Sequence, residues 1–406
     1  MIQELKIAFH SLVAHRRKTW AIIASVTLGI CALILVGGYY EYNYWGLKQS
    51  LIRSQYAHLQ LYPRDYLTDR DVSPFLHEIE SPHDLIANLE NKDIVLTAAP
   101  RSRAMAVVNG VPVEIWGVDP DREASIFTFT TSKRGMGLTL EDIASCQMSP
   151  VLAQEIGVSL NDSVSVIGVR EDSMVNAVDL KVQSLISSYA EDFDRMVLIV
   201  PQSVFYDLFG VDSVHEIAVL LKNDSHVYEL RDQFKTELES AGWDLKITVW
   251  FEQATYFRQV VNYYQGFYRI ILAIVAIIVF FATGTTMSLS LMERTREFGT
   301  YLSMGTRRST VVLRIFNEAL MAGFIGLIAG AILSATIAWI INASGGIYMP
   351  PAPGMSSSIN VYIRYSVQAG IFCLLSALAV PVAAVIIPAR NIMRQSIVDL
   401  LNRGGR

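Results

Sequence analysis

Four long uncharged stretches govern what this chain can fold into. Residues 19–40, 270–292 and 365–389 contain no Asp, Glu, Lys or Arg, and residues 315–355 contain only Glu318. A helix needs about 20 apolar residues to cross roughly 30 Å of hydrocarbon. Each stretch is long enough, and the sequence predicts spans at 19–41, 268–292, 313–341 and 365–388. The composition agrees, because 52% apolar with only 17% charged residues exceeds what one soluble core requires. The basic run His15-Arg16-Arg17-Lys18 ahead of the first stretch resembles the start of a secretory signal. The stretch is too long for a signal core, however, and runs out into Tyr39-Tyr40-Glu41-Tyr42, so an uncleaved anchor is expected.

Basic residues beside spans tend to stay cytoplasmic. Lys6, Arg16, Arg17 and Lys18 precede the first span, Arg294, Arg296, Arg307, Arg308 and Arg314 separate the second and third, and Arg390, Arg394, Arg403 and Arg406 follow the fourth. The connection over 342–364 offers only Arg364. All three basic segments therefore fall on one side, which places both termini in the cytoplasm and residues 42–267 across the membrane. That domain holds 32 Asp and Glu against 18 Lys and Arg. Its acidity argues against nucleic acid as a partner, which demands a basic face. Cys31 and Cys373 lie in spans and Cys146 stands alone outside them, so no disulfide can form within the large domain and an ordinary core must hold it.

Residues 2–13 space Ile2, Leu5, Phe9, Leu12 and Val13 along one helical face, as an amphipathic helix in the inner interface or a plain extension of the first span. In the large domain, strand patterns occur at 58–62, 104–108, 111–118, 164–169, 180–186, 196–200 and 216–221, with Asn109-Gly110 as a hairpin turn. Helical patterns occur at 82–90, 202–209 and 227–241. The expected fold is four transmembrane helices plus an α+β domain of two lobes. Helical stalks should continue from the first span towards Ser54 and from Gln253 into the second.

Catalytic and metal-binding patterns are missing. The histidines have no ligand spacing, and no C-x-x-C, G-x-S-x-G or G-x-x-x-x-G-K-[ST] occurs. Glu191-Asp192-Phe193-Asp194 is expected as a solvated loop. Glu318 lies four residues after Arg314, a spacing that permits an ion pair. Gly323, Gly326, Gly330 and Ser334 form a stripe of small residues in the third span, which serves close packing either within the chain or with a second copy.

The segment 293–308 reads E-R-T-R-E-F-G-T-Y-L-S-M-G-T-R-R. Phe298, Tyr301 and Leu302 share a helical face and Gly305 is a natural stop. Such a helix either lies on anionic lipid or enters a groove on a cytoplasmic partner. The run resembles the coupling-helix signature of permease subunits in the lipoprotein-release, macrolide-efflux and FtsX-type ABC transporters. Further landmarks of that family follow in order: R-R-K-T-W before the first span, H-L-Q-L-Y at 58–62, G-V-D-P at 117–120, L-A-x-x-I-G-V-x-x-x-D-x-V at 152–164, the 193–201 segment and P-A-R at 388–390. Asn161 replaces the glycine usual before Asp162, and asparagine also tolerates a positive φ.

The resemblance implies a permease of a bacterial inner membrane, with its large domain periplasmic and working as a dimer with a second copy or a paralogue. Two copies of a separate ABC ATPase would carry the ATP and Mg, with no cofactor or metal on this chain. Residues 296–307 would rest on that ATPase. Phe298 and Met304 would pack in its groove, Arg296, Glu297 and Arg307 would make polar contacts, Gly299 would permit close approach, and Tyr301, Leu302 and Gly305 would complete the helix. The chain would then be a transport subunit and no enzyme, moving its outer domain by mechanotransmission. Lipoprotein release with a periplasmic carrier is the first expectation. Efflux of a drug or peptide with an adaptor and activation of a cell-wall hydrolase are the alternatives.

Overall fold

The computed structural model describes residues 16–129, 133–188, 190–224, 226–350, 358–365 and 367–402. The amphipathic helix expected over 2–13 lies outside the described residues. The chain divides into two compact units, one of residues 1–44, 261–347 and 360–406 and the other of 45–260 and 348–359.

Among the described residues, the first unit is built on four helices long and apolar enough to cross a membrane: Arg16–Leu51, Thr255–Glu293, Arg308–Ala343 and Val367–Met393. The first two run well beyond their apolar stretches. Small residues set the packing. A Cβ on Gly326 would come within 2.7 Å of Val26, and one on Gly330 within 2.9 Å of Ile30, so glycine is what lets the third helix approach the first. Ile22 and Ile23 of the first helix, Met287 and Leu291 of the second, Val311 and Ile315 of the third and Val385 and Ala389 of the fourth form a shared core. Ile274, Ile278, Phe281, Phe324, Ile332 and Ile387 stay exposed, an apolar exterior suited to lipid.

The second unit is an α+β domain on a ten-stranded mixed sheet. Its strands are β1 (Leu59–Pro63), β2 (Val95–Val108), β3 (Val111–Val118), β4 (Lys133–Gly135), β5 (Ser145–Met148), β6 (Ser163–Val169), β7 (Val175–Ile186), β8 (Val197–Pro201), β9 (Glu216–Leu221) and β10 (Leu245–Val249). The long β2 takes part in two arrangements. Its first half pairs with β9, which pairs with β1 and then β10, giving an open antiparallel sheet. Its second half pairs with β3 and β6, and the ladder continues from β3 through β8, β5 and β7 back to β6. Those six strands close into a ring. The open sheet and the ring share β2 within one compact unit.

Period-two burial fills the ring. Val164 and Val166 of β6 point inward while Ser163, Ser165 and Ile167 point out. Ala104, Ala106, Val113, Ile115, Val182 and Leu198 meet them in the core. The β2–β3 turn is tight because Asn109 and Gly110 take φ of 49° and 86°, the pair of positive values a two-residue hairpin needs. Asn161 likewise adopts φ 72°, so asparagine serves where the family pattern has glycine.

The acidic run differs from expectation. Residues Glu191–Met196 form a short helix instead of a solvated loop. Asp194 is buried because its carboxylate accepts from Ser187 Oγ at 2.5 Å and from the Ser188 N–H at 2.8 Å. Such bonds replace the water a buried carboxylate gives up.

Candidate functional site

A short connector helix, Thr295–Ser303, links the second and third apolar helices. Arg294 anchors its start. The guanidinium donates to both Glu318 oxygens, at 2.7 and 3.2 Å, and through Nε to Glu297 at 3.1 Å. It also lies 5.3 Å from the centre of the Phe298 ring. Arg294 and Glu318 are both buried. Burial opposes the charge on Arg294, but the hydrogen bonds and charges of Glu318 and Glu297 more than offset this and raise its pKa. The i, i+4 spacing permits a pair between Arg314 and Glu318. Arg294 takes the carboxylate instead, because it reaches both oxygens in parallel, the favoured geometry for this pair. Arg314 lies 5.4 Å from the Tyr301 ring centre.

The connector has two faces. Phe298, Gly299 and Leu302 are buried, and the two larger side chains join Met287, Leu291, Val311, Ile315 and Leu400 in the core of their own unit. The expectation that Phe298 fills a groove on a partner is corrected: it is 3% exposed and occupied within the chain. The outward residues are Arg296, Glu297, Thr300, Tyr301, Ser303 and Met304, followed by Gly305 and Arg307. Met304 is 78% exposed. Gly305, at φ 87°, ends the helix; its N–H donates to Leu302 O and that of Thr306 to Tyr301 O, each at 3.1 Å. This pairing satisfies two terminal carbonyls that would otherwise lack partners.

Gly323, Gly326, Gly330 and Ser334 are all buried. Gly326 and Gly330 meet the first helix of the same chain. The stripe therefore packs within the subunit, and the face it was expected to offer a second copy is already covered at these two positions.

A second constellation lies in the sheet domain. Arg101 and Arg103 sit two apart on β2 and so share a face. Arg101 is fully buried; it donates to both oxygens of Glu123, at 3.1 and 2.6 Å, to Glu216 at 3.1 Å, and to the carbonyl of Gln55. Arg103 pairs with the other Glu216 oxygen. The two guanidinium carbons lie 4.9 and 4.0 Å from the Trp116 ring centre, within the range of cation–π attraction. Two arginines thus balance two buried glutamates, the condition under which buried charge is tolerated. Gln55 belongs to a π-helical turn, Ile52–Tyr56, directly after the first long helix. The signal available in the sequence was the alternation Arg101-Ser102-Arg103 running into Ala104, which extends the strand pattern toward the N-terminus.

Two buried histidines accept from backbone N–H groups, His215 at this cluster and His58 at the far end of β9. The Arg103 N–H donates to Nδ1 of His215 at 3.0 Å, and the Leu221 N–H to Nδ1 of His58 at 3.0 Å. An imidazole that accepts at Nδ1 must be neutral there. Burial pushes both histidines down to about 4, with Arg103 adding to the effect at His215.

Residues 269–397 match the FtsX-like permease C-terminal family. Over 368 residues the chain is 23% identical to the uncharacterized ABC transporter permease YvrN of Bacillus subtilis (strain 168), covering 84% of this chain and 88% of that one. Over 152 residues it is 29% identical to the macrolide export ATP-binding/permease protein MacB of Campylobacter jejuni subsp. jejuni, covering 36% of this chain and 22% of that one. Among solved structures, the periplasmic region of MacB from Actinobacillus actinomycetemcomitans aligns with a TM-score of 0.36 at 14% identity, over 52% of this chain and 95% of that one. The extracellular domain of the noncanonic ABC-type transporter YknZ from Gram-positive bacteria aligns with a TM-score of 0.33 at 12% identity, over 47% and 98%.

Proposed function

Because the chain is an ABC transporter permease of the MacB and FtsX type, with residues 269–397 as its FtsX-like permease domain, we propose that it converts ATP hydrolysis on a separate ATPase chain into movement of its large domain. It works in a bacterial inner membrane, with both termini cytoplasmic and the large domain periplasmic. Two ATPase copies hold the ATP and Mg, and a second permease copy or a paralogue completes the assembly. The cargo is a lipoprotein released from the outer leaflet to a periplasmic carrier.

The observation that carries this reading is the two-faced connector helix. Its inner face is fixed by the Arg294–Glu318 pair and by Phe298 and Leu302, while its outer face presents Arg296, Tyr301, Met304 and Arg307. A rigidly seated helix with an amphipathic outer face passes a push on to the helices it joins. A flexible loop would absorb it. Reconstitution with the ATPase in proteoliposomes containing a fluorescent lipoprotein tests the reading. ATP-dependent transfer to a soluble carrier is expected, and hydrolysis with no transfer would contradict lipoprotein as the cargo.

The similarity to a macrolide export protein favours a second reading, drug or peptide efflux with an adaptor. In the same vesicles, ATP-dependent movement of a macrolide without lipoprotein transfer would select it.

A further inference from the structure

We propose that the sheet domain binds a zwitterionic amphiphile of the phospholipid type in a cleft beside Arg103 and Trp116. The cleft has a volume of about 450 Å³. Arg103 and Trp116 both line it, and they are only 8% and 3% exposed. Arg103 Nε and Nη2 and Trp116 Nε1 are buried N–H donors with no hydrogen-bond partner, Nη2 being held by Glu216 as an ion pair alone. Folded interiors rarely leave such donors unmade. Arg101, two residues away on the same strand face, has its guanidinium nitrogens bonded to Glu123, Glu216 and Gln55. The contrast marks Arg103 and Trp116 as donors kept for something that enters the cleft.

The lining defines the ligand. A cationic and a neutral N–H together suit an oxyanion. Glu114, Glu191 and Asp192 line the same cleft against Arg70 and Arg103, and the excess of carboxylate would repel a bare anion. Register places Glu114 opposite Met105 and Trp116 opposite Arg103, so acid and base share one face of the β2–β3 ladder. A phosphate followed by an ammonium satisfies both signs. Tyr56, Phe193 and Phe257 supply an aromatic wall. Arg103 and Glu114 also line an adjoining cleft of about 750 Å³, where Leu76, Met105 and Val169 leave apolar surface exposed for a short hydrocarbon tail between the charged pairs Arg70–Asp71 and Arg170–Glu171.

The test needs neither ATP nor a partner subunit, so its outcome is independent of whether lipoprotein is the cargo. The full chain in maltoside micelles is titrated by calorimetry with hexylphosphocholine, a short amphiphile that stays largely in water. Saturable binding is expected, at least about tenfold tighter than that of hexyltrimethylammonium, which lacks the oxyanion. Trp116→Phe keeps a ring beneath the guanidinium groups and removes only the N–H, so it should weaken binding by about fivefold, and Arg103→Gln by about tenfold or more. Glu114→Gln should weaken hexylphosphocholine but not hexyl phosphate. No saturable binding, equal binding of hexyltrimethylammonium, or unchanged binding in folded Trp116→Phe overturns the proposal. The Trp116 variant decides the matter should Arg103→Gln fail to fold.

Discussion

Both units bury arginine against glutamate, one at the connector helix and one on β2, and the two sites differ in how completely the guanidinium groups are bonded. Arg294 uses Nε, Nη1 and Nη2 on Glu297 and Glu318. Arg101 is engaged in the same way, whereas Arg103 keeps an unbonded Nε beside the unbonded indole of Trp116. A saturated pair holds two elements at a fixed separation, because any displacement strands a buried charge. A partly bonded arginine holds its element and still has a donor for a ligand. The number of bonded donors, more than burial, distinguishes a clamp from an arginine with a donor to spare.

The largest effect should come from the saturated cluster of the sheet domain. Arg101→Met leaves Glu123 and Glu216 buried with one cation fewer, and should cost about 3–5 kcal/mol. The denaturant midpoint followed by tryptophan fluorescence measures it; a midpoint equal to that of the parent would mean that the cluster does not hold the sheet together. Glu318→Gln keeps an acceptor for Arg294 but removes the counter-charge, for a loss of about 2–3 kcal/mol. Thermal unfolding in detergent should register that loss, while the hydrogen exchange of β2 and β9 stays as in the parent.

Acid should distinguish the regions by a smaller margin per residue. His58 and His215 have folded pKa values near 4, below the ordinary 6.5, so the unfolded chain takes up protons first as pH falls. Their contribution is complete above about pH 6.5 and is lost on the way down to about 4, at roughly 1.4 kcal/mol per histidine by pH 5.5. Midpoints at pH 7.5 and 5.5 should differ in the parent and converge when both histidines are replaced by Gln. An acid response confined to the connector, where no described histidine lies, would reverse the assignment.

Much of the architecture was legible because it rests on strong local signals. Runs of 20 or more uncharged residues have few soluble uses, and Asn109-Gly110 specifies its turn almost alone. What escaped depended on distant partners. Arg101 and Arg103 hid the first half of β2, since charge argues against a buried strand until Glu123 and Glu216 are known to face it. β5 is buried at every position and so shows no alternation to read. Glu318 has an arginine one turn before it in sequence, and a better-aligned one arrives from another element. At the connector, amphipathicity identifies the helix but not which face the chain itself covers, because Phe298 and Met304 are both apolar and only Phe298 meets the core of its own unit.

That division of faces gives the most direct test of the coupling account. Affinity for the partner ATPase should be measured for the parent, Met304→Asp and Phe298→Asp, alongside their thermal stability. Met304→Asp is expected to leave the melting temperature unchanged while weakening association by about tenfold or more, as a charge placed in an apolar contact does. Phe298→Asp is expected to lower the melting temperature first, because its ring lies in the chain's own core. Undiminished association and ATPase stimulation in Met304→Asp would contradict the assignment of the outward face as the docking surface.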